Sequence, residues 1–155
     1  LRAAGEPRRI DRAIRRLQGA LKGVPARGVR LTCIEPPQAG SPAQACDRLL
    51  VDMALHEELA RRGLFGAADL LSLRGARPQP LFAVVTDDQA DGLAQAVGSL
   101  SLAAVRGGSG VRPVLVAPAT LVDRDPAVAA LPVACVKFRW RGARAIFDGL
   151  DDALA

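Results

Sequence analysis

The sequence is poor in the residues that aromatic and histidine-based sites require. Its 155 residues include no tyrosine, one tryptophan, four phenylalanines and a single histidine, His56. Single-strand recognition by stacking bases on aromatic side chains is therefore not expected. The His56-Glu57 pair lacks the second histidine four residues on, because position 60 is alanine. This excludes the two-histidine metal motif of a helix.

Cysteines are also few: Cys33, Cys46 and Cys135, with no closely spaced pair. Their spacing excludes zinc and redox motifs and is typical of a reducing compartment, so we expect a cytoplasmic protein. Cys33 and Cys135 lie in strand-like runs and are expected to be small buried hydrophobes. Cys46 lies near a predicted helix start, but His56 follows on the same helix about 15 Å away. The two cannot form a nucleophile pair.

Long apolar stretches are missing as well. Half of the residues are hydrophobic, yet the apolar runs have the length of strands, far below the ~20 residues that cross a bilayer. No membrane span is expected. The length predicts one domain, 1–155, comprising a basic amphipathic helix (1–24) and a sheet-and-helix core (28–155). The chain begins with Leu1 rather than methionine, as expected of a processed chain or of part of a longer protein.

What the sequence has in excess is positive charge, concentrated at one end. The net charge is +5, but residues 1–30 contain nine basic and two acidic side chains, a balance of +7. The other residues contain twelve basic and fourteen acidic side chains, a balance of −2. Such asymmetry between segments favours an anionic partner, such as nucleic acid or another anionic surface.

The first helix is predicted to place this charge on one side. Pro7 suits the first turn of a helix, and apolar residues then recur at spacings of three and four from Ile10 to Val24. The opposite side is basic, and it is formed by Arg8, Arg9, Arg12, Arg15, Arg16 and Lys22.

The rest of the chain alternates strand and helix patterns. The runs "VRLTCI", "PLFAVV", "VRPVLVAP" and "VACVKFRW" are β-rich, and continuous apolar runs are typical of parallel strands covered on both faces. The order predicts an α/β fold with an open, mostly parallel four-stranded sheet flanked by helices. A last helix is predicted from an apolar pattern at Ile146, Phe147, Leu150, Ala153 and Leu154.

The second helix has apolar residues on two sides. Ser41-Pro42 begins it with a capping serine and a proline in the first turn, and Gly63 ends it. Apolar side chains on both sides indicate a helix that is sandwiched within the domain or docked on another chain. Glu57 interrupts one apolar stripe, and pairing with Arg61 four residues on would explain it.

Acidic residues follow two of the predicted strands. Glu35 ends the first, and Asp87 and Asp88 end the second. Because ligands of parallel sheets bind beyond the carboxyl ends of the strands, these three acids could hold Mg²⁺. Alternatively, the stretch from Thr86 to Gln89 is a helix cap, which requires no ligand.

The fourth strand adds basic side chains. Lys137, Arg139 and Arg141 alternate with apolar residues and therefore share one face. They either protect a sheet edge from association or extend the basic helix as a second phosphate-contacting surface.

Three functions remain open. The first is non-enzymatic binding of nucleic acid through its phosphates, with little sequence specificity and no cofactor. The second is a regulatory or scaffold role with a protein partner or a second copy of the chain. The third is a Mg²⁺-dependent phosphoryl-transfer or nuclease-like enzyme that uses Glu35, Asp87 and Asp88.

Overall fold

A computed structural model describes residues 6–20, 22, 33–34, 42–63, 79–86 and 90–155. A short 3₁₀ turn, Gly108–Gly110, precedes the third strand. The helices and strands of these residues are α1 (Glu6–Ala20), β1 (Cys33–Ile34), α2 (Pro42–Arg61), β2 (Gln79–Val84), α3 (Ala90–Gly107), β3 (Val111–Pro118), α4 (Ala119–Arg124), α5 (Pro126–Ala129), β4 (Ala134–Arg141), β5 (Arg144–Asp148) and α6 (Leu150–Leu154). None of the described helices is long and apolar enough to cross a membrane.

The five strands form one sheet, in the order in which they occur in the chain. β1 to β4 are parallel, and β5 pairs antiparallel with β4. The predicted α/β fold with an open, mostly parallel sheet is therefore confirmed. The four predicted strands are the parallel ones, and β5 is an addition at one edge.

The central strands are buried on both faces because the side chains of a strand alternate. Phe82 and Val84 of β2 belong to the apolar cluster that contains α2 and α6. Ala83 and Val85 belong to the cluster on the opposite face, which contains α3 and α4. The apolar runs that predicted these strands thus form two cores, one on each side of the sheet.

The second helix is sandwiched within the domain, which decides between the two alternatives raised by its sequence. Val51 and Leu55 pack towards the sheet, whereas Leu50 and Met53 form a separate apolar cluster with α1. The order of layers is therefore α1, α2, sheet. As predicted, α2 stops next to Gly63, which has a positive φ of 71°.

The prediction of one long last helix is wrong for its first part. Ile146 and Phe147 lie on β5, and only the five residues of α6, Leu150–Leu154, are helical. β4 and β5 form a hairpin whose two-residue turn is Gly142-Ala143. Gly142 has φ +64°, which is the left-handed region that glycine adopts without steric cost.

The turn offers a paired test of this backbone requirement. Gly142→Ala is expected to destabilise the domain by about 1 kcal/mol, because a Cβ is disfavoured at positive φ. Gly98→Ala, within α3, is expected to stabilise it by up to about 1 kcal/mol, because alanine favours helix. A Cβ would contact nothing within 4 Å at either glycine, so crowding cannot account for a difference. Urea denaturation measures both changes, and equal effects would contradict the assignment of this turn.

Candidate functional site

A cavity of about 340 Å³ lies between α1 and the β4–β5 hairpin. We call it the arginine cavity, because five of the seven described residues that line it are arginines. Its lining consists of Arg9, Arg12, Arg16, Arg141, Ala143, Arg144 and Ile146. Basic residues more than 120 positions apart in the sequence are thus collected at one place.

One wall of the cavity comes from α1. Arg12 and Arg16 follow Arg9 by three and seven residues. At these spacings the three side chains share one face of the helix. Ala13 is buried against α2, and this contact fixes the rotation of α1 about its axis. Arg8 and Arg15 are exposed and do not line the cavity.

The opposite wall comes from the hairpin. Arg141, the last residue of β4, is the register partner of Arg144, the first residue of β5. The tight turn between them therefore brings both arginines to the same end of the sheet. The hairpin is anchored by Phe138 and Ala145, which are buried in the core.

A buried acid ties the two walls together. The side chain of Glu57 on α2 is only 2% exposed. Its Oε1 accepts hydrogen bonds from Nη2 of Arg61 at 2.6 Å and from Nη2 of Arg144 at 3.0 Å. Its Oε2 lies 3.7 Å from Nε of Arg16. A buried carboxylate is tolerated only when it is paired in this way, and the pairing holds Arg16 and Arg144 at the base of the cavity. The predicted Glu57–Arg61 pair is confirmed.

Three of the five arginines have no such partner among the residues that the structure describes. In the parts of the chain that the structure describes, Arg9, Arg12 and Arg141 form no ion pair. Like charges brought together within one concavity repel each other, and the potential that they create attracts anions. Both walls of the cavity therefore present guanidinium groups that no described acid neutralises.

Not all of the predicted basic residues reach this cavity. Nζ of Lys137 lies 2.6 Å from Oδ1 of Asp123, and Nε of Arg139 lies 3.2 Å from Oδ2 of Asp148. The hydrogen bond from Lys137 holds the pKa of Asp123 below its ordinary value. Lys22 is exposed in the turn that follows α1. The basic strip on β4 is thus largely neutralised by acids, and only Arg141 joins the cavity.

The acids proposed for Mg²⁺ lie outside the described residues. Glu35, Asp87 and Asp88 all belong to that part of the chain. The described residues contain no group of three or more His, Cys, Asp or Glu side chains that could hold a metal ion.

Of the two cysteines expected to be small buried hydrophobes, Cys135 packs against the core but is only partly buried, and the side chain of Cys33 lies outside the described part of the chain. Cys46 is buried on the side of α2 that meets α1, and α2 is continuous from Pro42 to Arg61. Cys46 and His56 are therefore kept apart, as expected. Burial raises the pKa of the Cys135 thiol, which disfavours the reactive thiolate.

The sequence contained a signal for one residue that was missed. Arg144 was not among the predicted contacts, because the chain from Ile146 onwards was assigned to a helix. The two-residue spacer Gly142-Ala143 between β-rich segments is typical of a hairpin, and recognising it would have placed Arg144 opposite Arg141. The contacts of Glu57 with Arg16 and Arg144 have no sequence signal, since they join distant segments.

Comparison of the chain with models of protein families, with curated proteins and with solved structures finds no match in any of the three.

Proposed function

We propose that this domain binds nucleic acid through its phosphates, with little sequence specificity and without catalysing a reaction, and that the arginine cavity is the contact site. The observation that carries the proposal is the convergence of five arginines from α1 and the hairpin on one cavity. Arg9, Arg12 and Arg141 form no ion pair with the described residues. No acid in the described part of the chain therefore competes with an anion for these three side chains.

Arginine suits phosphate better than lysine does. Its planar guanidinium group can donate two parallel N–H···O bonds to one phosphate, and charge-assisted bonds of this kind are about twice as strong as neutral ones. Glu57 contributes by holding Arg16 and Arg144 in place, so that less side-chain entropy is lost when an anion binds.

The composition of the lining favours binding with little sequence readout. Besides the arginines, its described lining contains only Ala143 and Ile146, and neither of these side chains can stack on a base. Contacts to phosphate fix the position of a nucleic acid but do not distinguish its bases.

The proposal is tested by removing cavity arginines and measuring binding to a labelled random-sequence duplex by fluorescence anisotropy. The double variant R9A/R12A is expected to bind more weakly at every salt concentration between about 50 and about 200 mM. It is also expected to reduce the slope of log K against log salt concentration by about two, because two phosphate contacts are lost.

The matched control is R8A/R15A, which removes the same charge from the same helix outside the cavity. It is expected to retain most of the affinity and most of the salt slope. Equal losses in the two variants would contradict a specific role of the cavity. Absence of binding by the unchanged protein at about 50 mM salt would refute the proposed function.

A further inference from the structure

The arginine cavity is small for the charge around it. Pockets that hold small molecules have volumes of about 300 to 1,000 Å³, and this cavity, at about 340 Å³, lies at the lower end of that range. A volume of this size suits a small anionic group, such as a single phosphate, and most of a longer ligand would lie outside it.

The charge is concentrated on this small volume. Five arginines line the described part of the cavity, and Glu57 and Glu58 pair with two of them, Arg16 and Arg144, which leaves an excess of three positive charges over these two acids. A phosphodiester within a chain offers a single negative charge. A phosphate monoester carries about −1.5 to −2 at neutral pH and has three acceptor oxygens. A terminal phosphate therefore matches the cavity better than an internal one.

The two walls also favour an end over the middle of a strand. Arg9 and Arg12 approach from α1, and Arg141 approaches from the hairpin. A monoester presents three free oxygens and can accept from both sides, whereas an internal phosphate has two of its oxygens bonded to sugars. An internal phosphate is moreover continued by chain in two directions, which requires an extended surface rather than a small concavity.

We propose that the arginine cavity binds the terminal phosphate of a nucleic-acid chain, an inference that rests on the proposed binding of nucleic acid at this site. Arg9, Arg12 and Arg141 donate to the oxygens of the monoester, and Arg16 and Arg144 complete the positive surroundings.

The test compares oligonucleotides of one sequence that differ only at their ends: hydroxyl at both, phosphate at the 5′ end, or phosphate at the 3′ end. A terminal phosphate at one of the two ends is expected to tighten binding about tenfold, through charge-assisted hydrogen bonds. The gain should shrink as the pH falls below about 6, where the monoester loses its second charge. It should disappear in R141A and persist in R8A/R15A.

The outcomes separate this inference from the proposed function. If all three oligonucleotides bind equally and R9A/R12A still weakens them, binding of phosphates stands and the preference for an end is wrong. If none binds at low salt, the proposed function fails and this inference falls with it. Inorganic phosphate is the remaining probe. If it competes with a Kd equal to that of the phosphorylated oligonucleotide, the chain contributes nothing and the proposed ligand is wrong.

Discussion

Replacing Glu57 with alanine is expected to destabilise the domain by about 3 kcal/mol, the lower end of the range for breaking a buried ion pair. The expected loss of stability is large because one carboxylate forms ion pairs with arginines from three elements: Arg16 of α1, Arg61 of α2 and Arg144 of β5. It stays at the lower end because these arginines are 29 to 54% exposed and can turn towards water. Without Glu57 they also repel one another.

The neighbouring acid provides the control for this change. Glu58 pairs with Arg62 and Arg144, but its side chain is 27% exposed, and exposed pairs contribute about 1 kcal/mol or less. Urea denaturation of Glu57→Ala and Glu58→Ala should therefore differ by about 2 kcal/mol. The difference should survive added salt, since buried pairs are screened little. Equal midpoints for the two variants would show that Glu57 does not hold the walls together.

The second large effect is expected at the anchor of the hairpin. Phe138 is 2% exposed and belongs to the cluster that packs α2 and α6 on the sheet. Phe138→Ala should cost about 3 to 5 kcal/mol, because it removes buried surface and leaves a cavity. Small domains are stable by only about 5 to 15 kcal/mol in total. The substitution therefore removes a major part of the stability and loosens the hairpin that holds Arg141 and Arg144.

Trp140 is the control for the anchor. Its ring packs edge-to-face on Phe138, with centroids 5.8 Å apart, but the residue is 40% exposed. Trp140→Ala should cost only about 1 to 2 kcal/mol, mainly through the loss of the aromatic pair. Circular dichroism must monitor unfolding, because Trp140 is the only tryptophan. If Trp140→Ala lowered the free energy of unfolding as much as Phe138→Ala does, the assignment of Phe138 as the anchor of the hairpin would be wrong.

The parts of the fold that the sequence predicted are those with long, regular patterns. The bounds of β3, Val111–Pro118, match the apolar run that indicated it. α2 begins at Pro42, the proline expected in its first turn, and ends at Arg61, two residues before Gly63. β5 was missed because five residues are too few to distinguish strand from helix by periodicity alone. The apolar residues from Ile146 to Leu154 are spaced as in one helix. In the structure, the first of them belong to the strand β5 and the others to the short helix α6.

The candidate site was predictable on one wall only. The helical period places Arg9, Arg12 and Arg16 on one face without any tertiary information. Which acids neutralise the other basic residues depends on the fold. Lys137, Arg139 and Arg141 occupy alternate positions of the same strand. Among the described residues, Lys137 pairs with Asp123 and Arg139 pairs with Asp148, whereas Arg141 forms no ion pair. No local rule distinguishes them.

The position of α1 on the outside of α2 has a thermodynamic consequence. Among the described residues, α1 is joined to the domain by one small apolar cluster that includes Ala13 and by the pair between Arg16 and Glu57. The helix can therefore undock at a free-energy cost below that of global unfolding. Undocking separates Arg9 and Arg12 from Arg141 and abolishes the cavity. An anion held between them binds only the docked form, so its binding free energy adds to the affinity of the helix for its own domain.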